Sequence, residues 1–560
     1  MKIFFFCKKY ILAHKYILVL YIVIILFNTG IGVLSPFIIG NFLDNLVEGA
    51  SVRVILQFCA IFGGLNVVRI LKGYVTAMMN INMQTQMSYE LNRDTHRHLQ
   101  GLTLSYTSRQ DSVYLSQRVN QDSNSLIVFC ISILQSIITN VIMLVAPLMI
   151  LLSMNWFIAV LLLSFLVAYI VLYVAFKKPL YKASFALKEA QSKFFSSLHD
   201  QLKYIKIIKI NSIQNEINHR SDDTFIHLKD TAIHKQKVNY LYSGLDGFTS
   251  TIAQIVLFVV GGLQVLSGNF TIGMFTIFAS YFNMMLGASR YFFGLGASYQ
   301  KTLVAYNRIK EIFDRKLESC GEKVINKIGT IELRNVSFSY IAHEENQVRG
   351  GTARVVEYFS MEFTKGKLYG IVGPNGTGKS TLINLLIGLY VDEFTGFITY
   401  DNTDIRCIDM VAARRNLIGF AEQEPLLIND SIRHNLGFEN IVNIGFLDEY
   451  AEILDIKDFI SKHSLDFVID EKSSNMSGGE KQKISILKVL CKDSAVMIFD
   501  EPTSALDSES TKRFISHLKQ IKTDKIIIII THDEFIKEQC DVLVETNNVN
   551  ANVSRVPVHM

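Results

Sequence analysis

The chain has 560 residues, 49% of them hydrophobic, with 55 Lys and Arg against 51 Asp and Glu for a formal net charge of +4. Its mean hydropathy of +0.27 is positive, which soluble enzymes of this size seldom show. The small basic excess gives no reason to expect nucleic acid as a partner. The seven cysteines stand singly, so neither a disulfide framework nor a zinc site is expected.

In chain order, a short basic segment (Lys2, Lys8, Lys9, Lys15) leads into "YILVLYIVIILFNTGIGVL", near 16 to 34. That run is too long for the apolar region of a cleaved signal peptide, and no small-x-small site closes it. It is expected to be a first span. Runs beginning "SLIVFCISILQ" at 125 and "WFIAVLLLSFL" at 156 are longer still, and weaker ones lie near 54 to 80, 238 to 266 and 272 to 296. Each meets the requirement of about 20 mostly apolar residues for a membrane helix, so six spans are expected. The loops "SMN" and "SGNFT" carry no charge, whereas the segments near 81 to 124 and 177 to 237 are rich in lysine and arginine. By the positive-inside rule those long segments, and with them both termini, lie in the cytoplasm.

Past residue 312 the texture changes to alternating strand and helix patterns, with "DRKLESCGEKVINKIG" (314 to 329) reading as a linker. An apolar strand, Leu368 to Val372, runs into a stretch matching G-x-x-x-x-G-K-[ST], and an apolar-periodic helix follows. This stretch, Gly373, Pro374, Asn375, Gly376, Thr377, Gly378, Lys379, Ser380 and Thr381, is the expected phosphate site. Its glycines let backbone amides curl round phosphates, Lys379 supplies charge, and Ser380 offers a hydroxyl to Mg²⁺.

Next comes "NMSGGEKQKISILKVL" (475 to 490), where Ser477 and Glu480 fit a capping box and Ile484, Leu487 and Cys491 form an apolar stripe. A capped helix leaves Gly478 and Gly479 unexplained, since each costs about 1 kcal/mol in a helix interior. A helix start bared in this way suits an anion. The strand "VMIF" then ends in Asp500 and Glu501, placed to hold Mg²⁺ and to polarise a water molecule. A further strand, "KIIIII", ends in Thr531, His532 and Asp533.

These motifs, in this order from about 330 to 540, resemble the cassette of the ATP-binding cassette (ABC) transporters. The resemblance implies an α-helical membrane domain of six transmembrane helices (1–312), a linker (313–329) and an α/β P-loop ATPase domain with a mostly parallel sheet (330–560). It implies that Tyr340 stacks on adenine, that Gln423 touches Mg²⁺ and reports the γ-phosphate, that Glu501 is the catalytic base, and that His532 contacts the γ-phosphate. Asp507 would belong to a loop crossing a dimer, and Glu471 would contact coupling helices. Ser477, Gly478 and Gly479 would bind the γ-phosphate held by a second cassette, so two chains would sandwich two ATP molecules. The sequence departs from the family pattern at Glu480, where glutamine is usual, and at Ser473, where glycine is usual; an anionic Glu480 would slow closure or hydrolysis.

Six spans fused ahead of one cassette resemble half-transporter exporters, with coupling helices expected near 104 to 112 and 211 to 217. Such a chain would act as a homodimer, or in a heterodimer, in a bacterial cytoplasmic membrane; the Ile, Asn and Lys bias fits a low-GC bacterium. At about 1.5 Å per residue from the outer ends, Arg69, Lys72, Asp246 and Arg290 come to one depth near the inner leaflet. They would form a basic belt facing the cavity, or Asp246 would simply pair with Arg290. The favoured cargo is a peptide such as a bacteriocin, cut by another protein because no peptidase-like segment is read before the first span. A lipid, a lipid-linked glycan or an amphipathic drug is the alternative, and an ATP-gated channel, a sensor or an importer of exporter-like fold is a different class of reading. The spans exclude a soluble DNA-repair cassette.

Overall fold

The computed structural model describes residues 2–108, 112–340, 354–437, 444–470 and 476–546. Glu471 and Ser473 lie outside the described residues. The chain divides into two units, Met1–Arg97 with Ser112–Asp314, and His98–Asp111 with Arg315–Met560.

The first unit is helical. An initial helix α1 (Lys2–Ala13) precedes α2 (Lys15–Val47) and α3 (Val52–Gln100); a short helix α4 (Leu104–Thr107), part of the second unit, is followed by α5 (Ser112–Met154) and α6 (Trp156–Lys203). Then come α7 (Ile205–Asn211), α8 (Gln214–Leu266) and α9 (Ile272–Asp314). Six of these, α2, α3, α5, α6, α8 and α9, are long and apolar enough to cross a membrane. Most continue well past the apolar stretch as polar extensions.

The N-terminal basic segment, expected only to precede a span, is itself the helix α1. Ile3, Cys7 and Tyr10 recur at helical spacing and are buried. Lys9 Nζ and the Tyr10 hydroxyl both reach the Asp94 carboxylate, at 2.8 and 3.0 Å, and His14 meets Glu90 at 3.1 Å. The second tip helix, expected at 211 to 217, is instead α7, Ile205–Asn211. Ser212 closes it in the left-handed conformation at φ 53° and α8 restarts at Gln214, because the apolar run "IKIIKIN" favours helix over a turn.

At the opposite end, α2 and α9 are pressed together through glycines. A Cβ on Gly273 would stand 2.1 Å from the Gly40 carbonyl oxygen, and one on Gly40 would stand 2.5 Å from Ile277. Asp44 of α2 accepts from the Gly273 amide at 2.6 Å and from the Thr271 hydroxyl at 2.7 Å, so one helix caps the N-terminus of the other, where a negative charge is favoured. Asp44→Ala should therefore cost about 1 kcal/mol of stability, as lost caps do, and Asp44→Asn less. The check is the thermal inactivation temperature in nanodiscs; equal values for the alanine variant and the wild type would show that the cap is idle.

The second unit carries two sheets. Strands β1 (Thr330–Ser339), β2 (Arg354–Thr364) and β3 (Lys367–Val372) precede α10 (Lys379–Leu386). After β4 (Phe394–Tyr400) and β5 (Thr403–Asp404) come α11 (Met410–Asn416), β6 (Ile418–Ala421), α12 (Ile432–Gly437), α13 (Leu447–Ile453) and α14 (Lys457–His463). The last elements are α15 (Gly478–Lys492), β7 (Val496–Asp500), α16 (Ser508–Ile521), β8 (Ile526–Ile530), α17 (Glu534–Gln539) and β9 (Val542–Glu545). One sheet has the order β2-β1-β4-β5 and is antiparallel; the other is parallel, with the order β6-β7-β8-β3-β9.

Strand β8 shows how the two cores arise. Its side chains alternate by period two, so Ile526, Ile528 and Ile530 enter the core shared with the antiparallel sheet, while Ile527 and Ile529 enter the core beneath α15 and α16. Strand β7 does the same with Ile498 on one face and Met497 and Phe499 on the other. A strand buried on both faces reads as an unbroken apolar run, which is how "KIIIII" looked in the sequence.

The first tip is also resolved. Helix α4 occupies only the start of the expected 104 to 112 segment, whose residues 109 to 111 lie outside the described ones. Leu104 packs against the first core, Ser105 donates to Glu393, and the Gly101 carbonyl accepts from the Glu318 amide at 2.8 Å. The start of the segment expected to be a linker therefore meets this tip, and its Glu318 pairs with Arg414 at 2.8 Å.

Candidate nucleotide site

Each phosphate-site residue stands at or just beyond the carboxyl end of a parallel strand, where open α/β sheets bind ligands. The glycine-rich loop leaves β3, Gln423 follows β6, Asp500 and Glu501 close β7, and His532 follows β8. The loop needs its glycines. Gly376 and Gly378 sit at φ 82° and 86°, and a Cβ on Gly378 would meet the Val355 carbonyl oxygen at 2.7 Å. From the end of β9, the Thr546 hydroxyl supports the loop through Thr377 Oγ1 at 2.8 Å and the Val372 carbonyl at 3.2 Å.

Lys379, the first residue of α10, donates to the carbonyls of Gly373 and Pro374 at 2.6 and 3.0 Å and lies 3.3 Å from His532 Nε2. Burial holds its ammonium below the usual lysine range, against the pull of Glu501 and Asp500. His532 Nε2 stands 3.5 Å from one oxygen of Glu501, and the other accepts from Gln423 Nε2 at 2.7 Å. His532, Glu501 and Gln423 thus form one polar chain leading from the loop lysine. Burial, helped by the neighbouring Glu501, pushes the Asp500 carboxyl up to about 6, with Lys379 acting the other way. Tyr340 lies beside the start of α10, its hydroxyl 3.0 Å from Thr381 Oγ1 and its ring edge-on to Phe338.

The capping box at Ser477 is fully formed. The serine hydroxyl accepts from the Glu480 amide at 3.2 Å, and the Glu480 carboxylate accepts from the Ser477 amide at 2.7 Å. Ile484, Leu487 and Cys491 are buried, as the stripe predicted. Asp507 is a helix cap too: it accepts from the Ser510 amide at 2.7 Å, and the Ser510 hydroxyl and amide hold its carboxyl below the usual range.

Of the four membrane charges, the structure brings only two together. Arg290 of α9 pairs with Asp246 of α8 at 2.9 Å, and Tyr169 of α6 donates to the Asp246 backbone carbonyl. Lys72 instead lies 3.0 Å from the Phe27 ring centroid, and Arg69 is exposed on α3. Of the two alternatives, the pairing of Asp246 with Arg290 is the one the structure shows.

Sequence reasoning missed Gln482, which is buried and bonded to the backbone of Glu501, and Thr546. Gln482, Ser485 and Val489 recur at i, i+3 and i+7, and this polar entry on a buried helical face was the available signal. Thr546 left none.

The family described as ABC transporter transmembrane region matches residues 18–289, and the family described as ABC transporter matches residues 356–504. The chain belongs to the ABC transporters. It is a half-transporter of exporter architecture and a multi-pass membrane protein, and its second unit is an ATP-hydrolysing cassette coupled to transport. This transporter is 28% identical over 93% of its length to the lactococcin-G-processing and transport ATP-binding protein LagD of Lactococcus lactis, covering 73% of that protein. It is 24% identical to the ATP-dependent lipid A-core flippase of Photorhabdus laumondii, covering 88% of this chain and 84% of that one. ABC transporter B family member 1 of Dictyostelium discoideum is 32% identical over 52% of the chain, which spans about a third (32%) of that longer relative. Among solved structures, a bacterial Atm1-family ABC exporter with ATP bound has the same fold, with a TM-score of 0.81, 19% identity, and coverage of 97% of this chain and 95% of that one.

Proposed function

We propose that the protein is an ATP-driven exporter of a peptide across a bacterial cytoplasmic membrane, working as a dimer by alternating access. The observation that carries the catalytic half of this reading is the polar chain Lys379, His532, Glu501, Gln423 at the mouth of the phosphate loop. Glu501, held between Gln423 and His532, draws a proton from the attacking water. Lys379 neutralises the β and γ groups, and Tyr340 offers its ring to adenine. Hard oxygen donors at Ser380, Asp500 and Gln423 suit Mg²⁺, which would add charge stabilisation to the transferring phosphoryl group.

The dimer is supported by the signature glycines. A Cβ on Gly478 would meet nothing in this chain, and one on Gly479 would meet only Ala505 Cβ at 3.9 Å. No packing among the described residues requires glycine at either place. A second chain's γ-phosphate, bound by the amides of Ser477 to Gly479, supplies the need for bare backbone. Joining and parting of the cassettes then biases two membrane conformations.

A peptide cargo is favoured by the match to LagD over nearly the whole chain, and lipid is the second reading because of the flippase match. The test is transport of labelled peptides and lipids into inside-out vesicles, with ATP turnover recorded in nanodiscs. Peptide uptake of the wild type alone, absent in Glu501→Gln, is the expected result. Stimulation and movement of lipid but not peptide would reverse the order of the two readings.

A further inference from the structure

The catalytic Glu501 has a backbone conformation that a non-glycine residue rarely adopts, φ 47° and ψ 52°. Such strain persists only where its surroundings hold it. Its amide donates to the Ile530 carbonyl at 3.0 Å, anchoring it to β8. Its carbonyl is held from the other side by Gln482 of α15, whose Nε2 donates to it at 2.9 Å. The Gln482 amide oxygen accepts from the Ser504 hydroxyl at 2.7 Å, and Ser504 lies in the short turn that follows Glu501. Gln482 is only 5% exposed, so loss of the Ser504 hydroxyl would leave its buried amide oxygen without that partner, while the Glu501 carbonyl also accepts from the Ser504 hydroxyl at 3.1 Å. It stands five residues after Ser477, on the first turns of the helix whose opening Ser-Gly-Gly faces outward.

One side chain therefore spans two places of different purpose. The start of α15 is where a second chain's nucleotide would dock, and the Glu501 turn is where this chain's own nucleotide would be hydrolysed. We propose that Gln482 is a positioning residue that makes the set of Glu501 depend on the placement of the signature turn in the same chain. Each cassette's general base then responds to whether that cassette's signature turn has engaged the nucleotide across the dimer. Hydrolysis at one site is thereby tied to occupancy of the other. This inference rests on the two-cassette sandwich reading given above.

The experiment uses the full chain in nanodiscs. Gln482→Met keeps the volume and removes both bonds. ATP turnover should fall about tenfold, with the Kd for a fluorescent ATP analogue changed less than about twofold and the Hill coefficient for ATP falling to one, the size expected when a buried charged or polar contact that positions a reacting group is lost. Ser504→Ala, which cuts the same bridge at its other end, should show the same pattern to a smaller degree and serves if the methionine variant fails to fold. Mixed dimers with a single intact Glu501 locate the effect. Gln482→Met on the chain that keeps Glu501 should be slow, whereas Gln482→Met on the chain carrying Glu501→Gln should match the control dimer without it. Equal losses in both arrangements, unchanged turnover, or a fall in nucleotide affinity that accounts for the fall in turnover would overturn the proposal. The sandwich itself is tested apart, by mixing wild type with excess Ser477→Arg chains. Wild-type activity no lower than dilution predicts would sink that reading, whatever Gln482 does.

Discussion

Replacing Glu501 by glutamine should lower ATP turnover by about 10²–10⁴-fold, the usual contribution of a positioned general base, while nucleotide still binds. The substitution keeps the side chain's length and leaves an oxygen able to accept from Gln423, which now stands at 2.7 Å. It leaves intact the backbone bonds to Ile530 and Gln482 that hold the left-handed turn. What disappears is a carboxylate able to take a proton, so the loss belongs to the chemical step. Phosphate release and binding of a fluorescent nucleotide, measured on one preparation, separate the two effects. A variant retaining a tenth or more of wild-type turnover would shift the role of base to His532, which lies 3.5 Å from the same carboxylate.

The sequence made much of this site visible because its parts are local. A glycine-rich loop between strand and helix, two acids at the end of an apolar strand, and a capped helix start are each written within about a dozen residues. The six spans were equally open, since length and hydropathy suffice to find them. What escaped depended on the third dimension. Helix α1 carries a clear Ile3, Cys7, Tyr10 stripe, but its lysines drew attention to charge, and Asp94, the partner of Lys9, lies 85 residues away. The placing of Arg69, Lys72, Asp246 and Arg290 at one depth used the rise per residue alone. Rise fixes height along a helix and says nothing of azimuth, so the belt and the Asp246 to Arg290 pair both stayed open, and the structure shows the pair. The tip helix α7 lies several residues before the expected 211 to 217, because the chain turns at Ser212 and then continues as helix.

Substitutions in the phosphate loop should behave differently from Glu501→Gln, because they act on binding as well as on chemistry. Lys379→Met removes the charge proposed to neutralise the β and γ groups and should reduce turnover by about 10²–10³-fold, the cost of deleting one preorganised electrostatic contact, with nucleotide affinity falling as well. The glycines offer a graded comparison. Gly378→Ala meets two penalties: a left-handed φ of 86°, about 1–2 kcal/mol for an L-residue, and a Cβ 2.7 Å from the Val355 carbonyl oxygen. That oxygen belongs to backbone and cannot swing aside. Gly376→Ala meets only the first, since at φ 82° its Cβ would have open space around it. The loop should therefore lose much more nucleotide affinity with alanine at 378 than at 376, and both variants should keep the far-ultraviolet circular dichroism of the wild type. If the two alanines weaken binding equally, conformational strain alone governs the loop and the contact with Val355 contributes nothing. If Lys379→Met lowers turnover but leaves affinity untouched, the lysine acts only on the transition state, and the loop keeps its shape without the bonds from Lys379 Nζ to the Gly373 and Pro374 carbonyls.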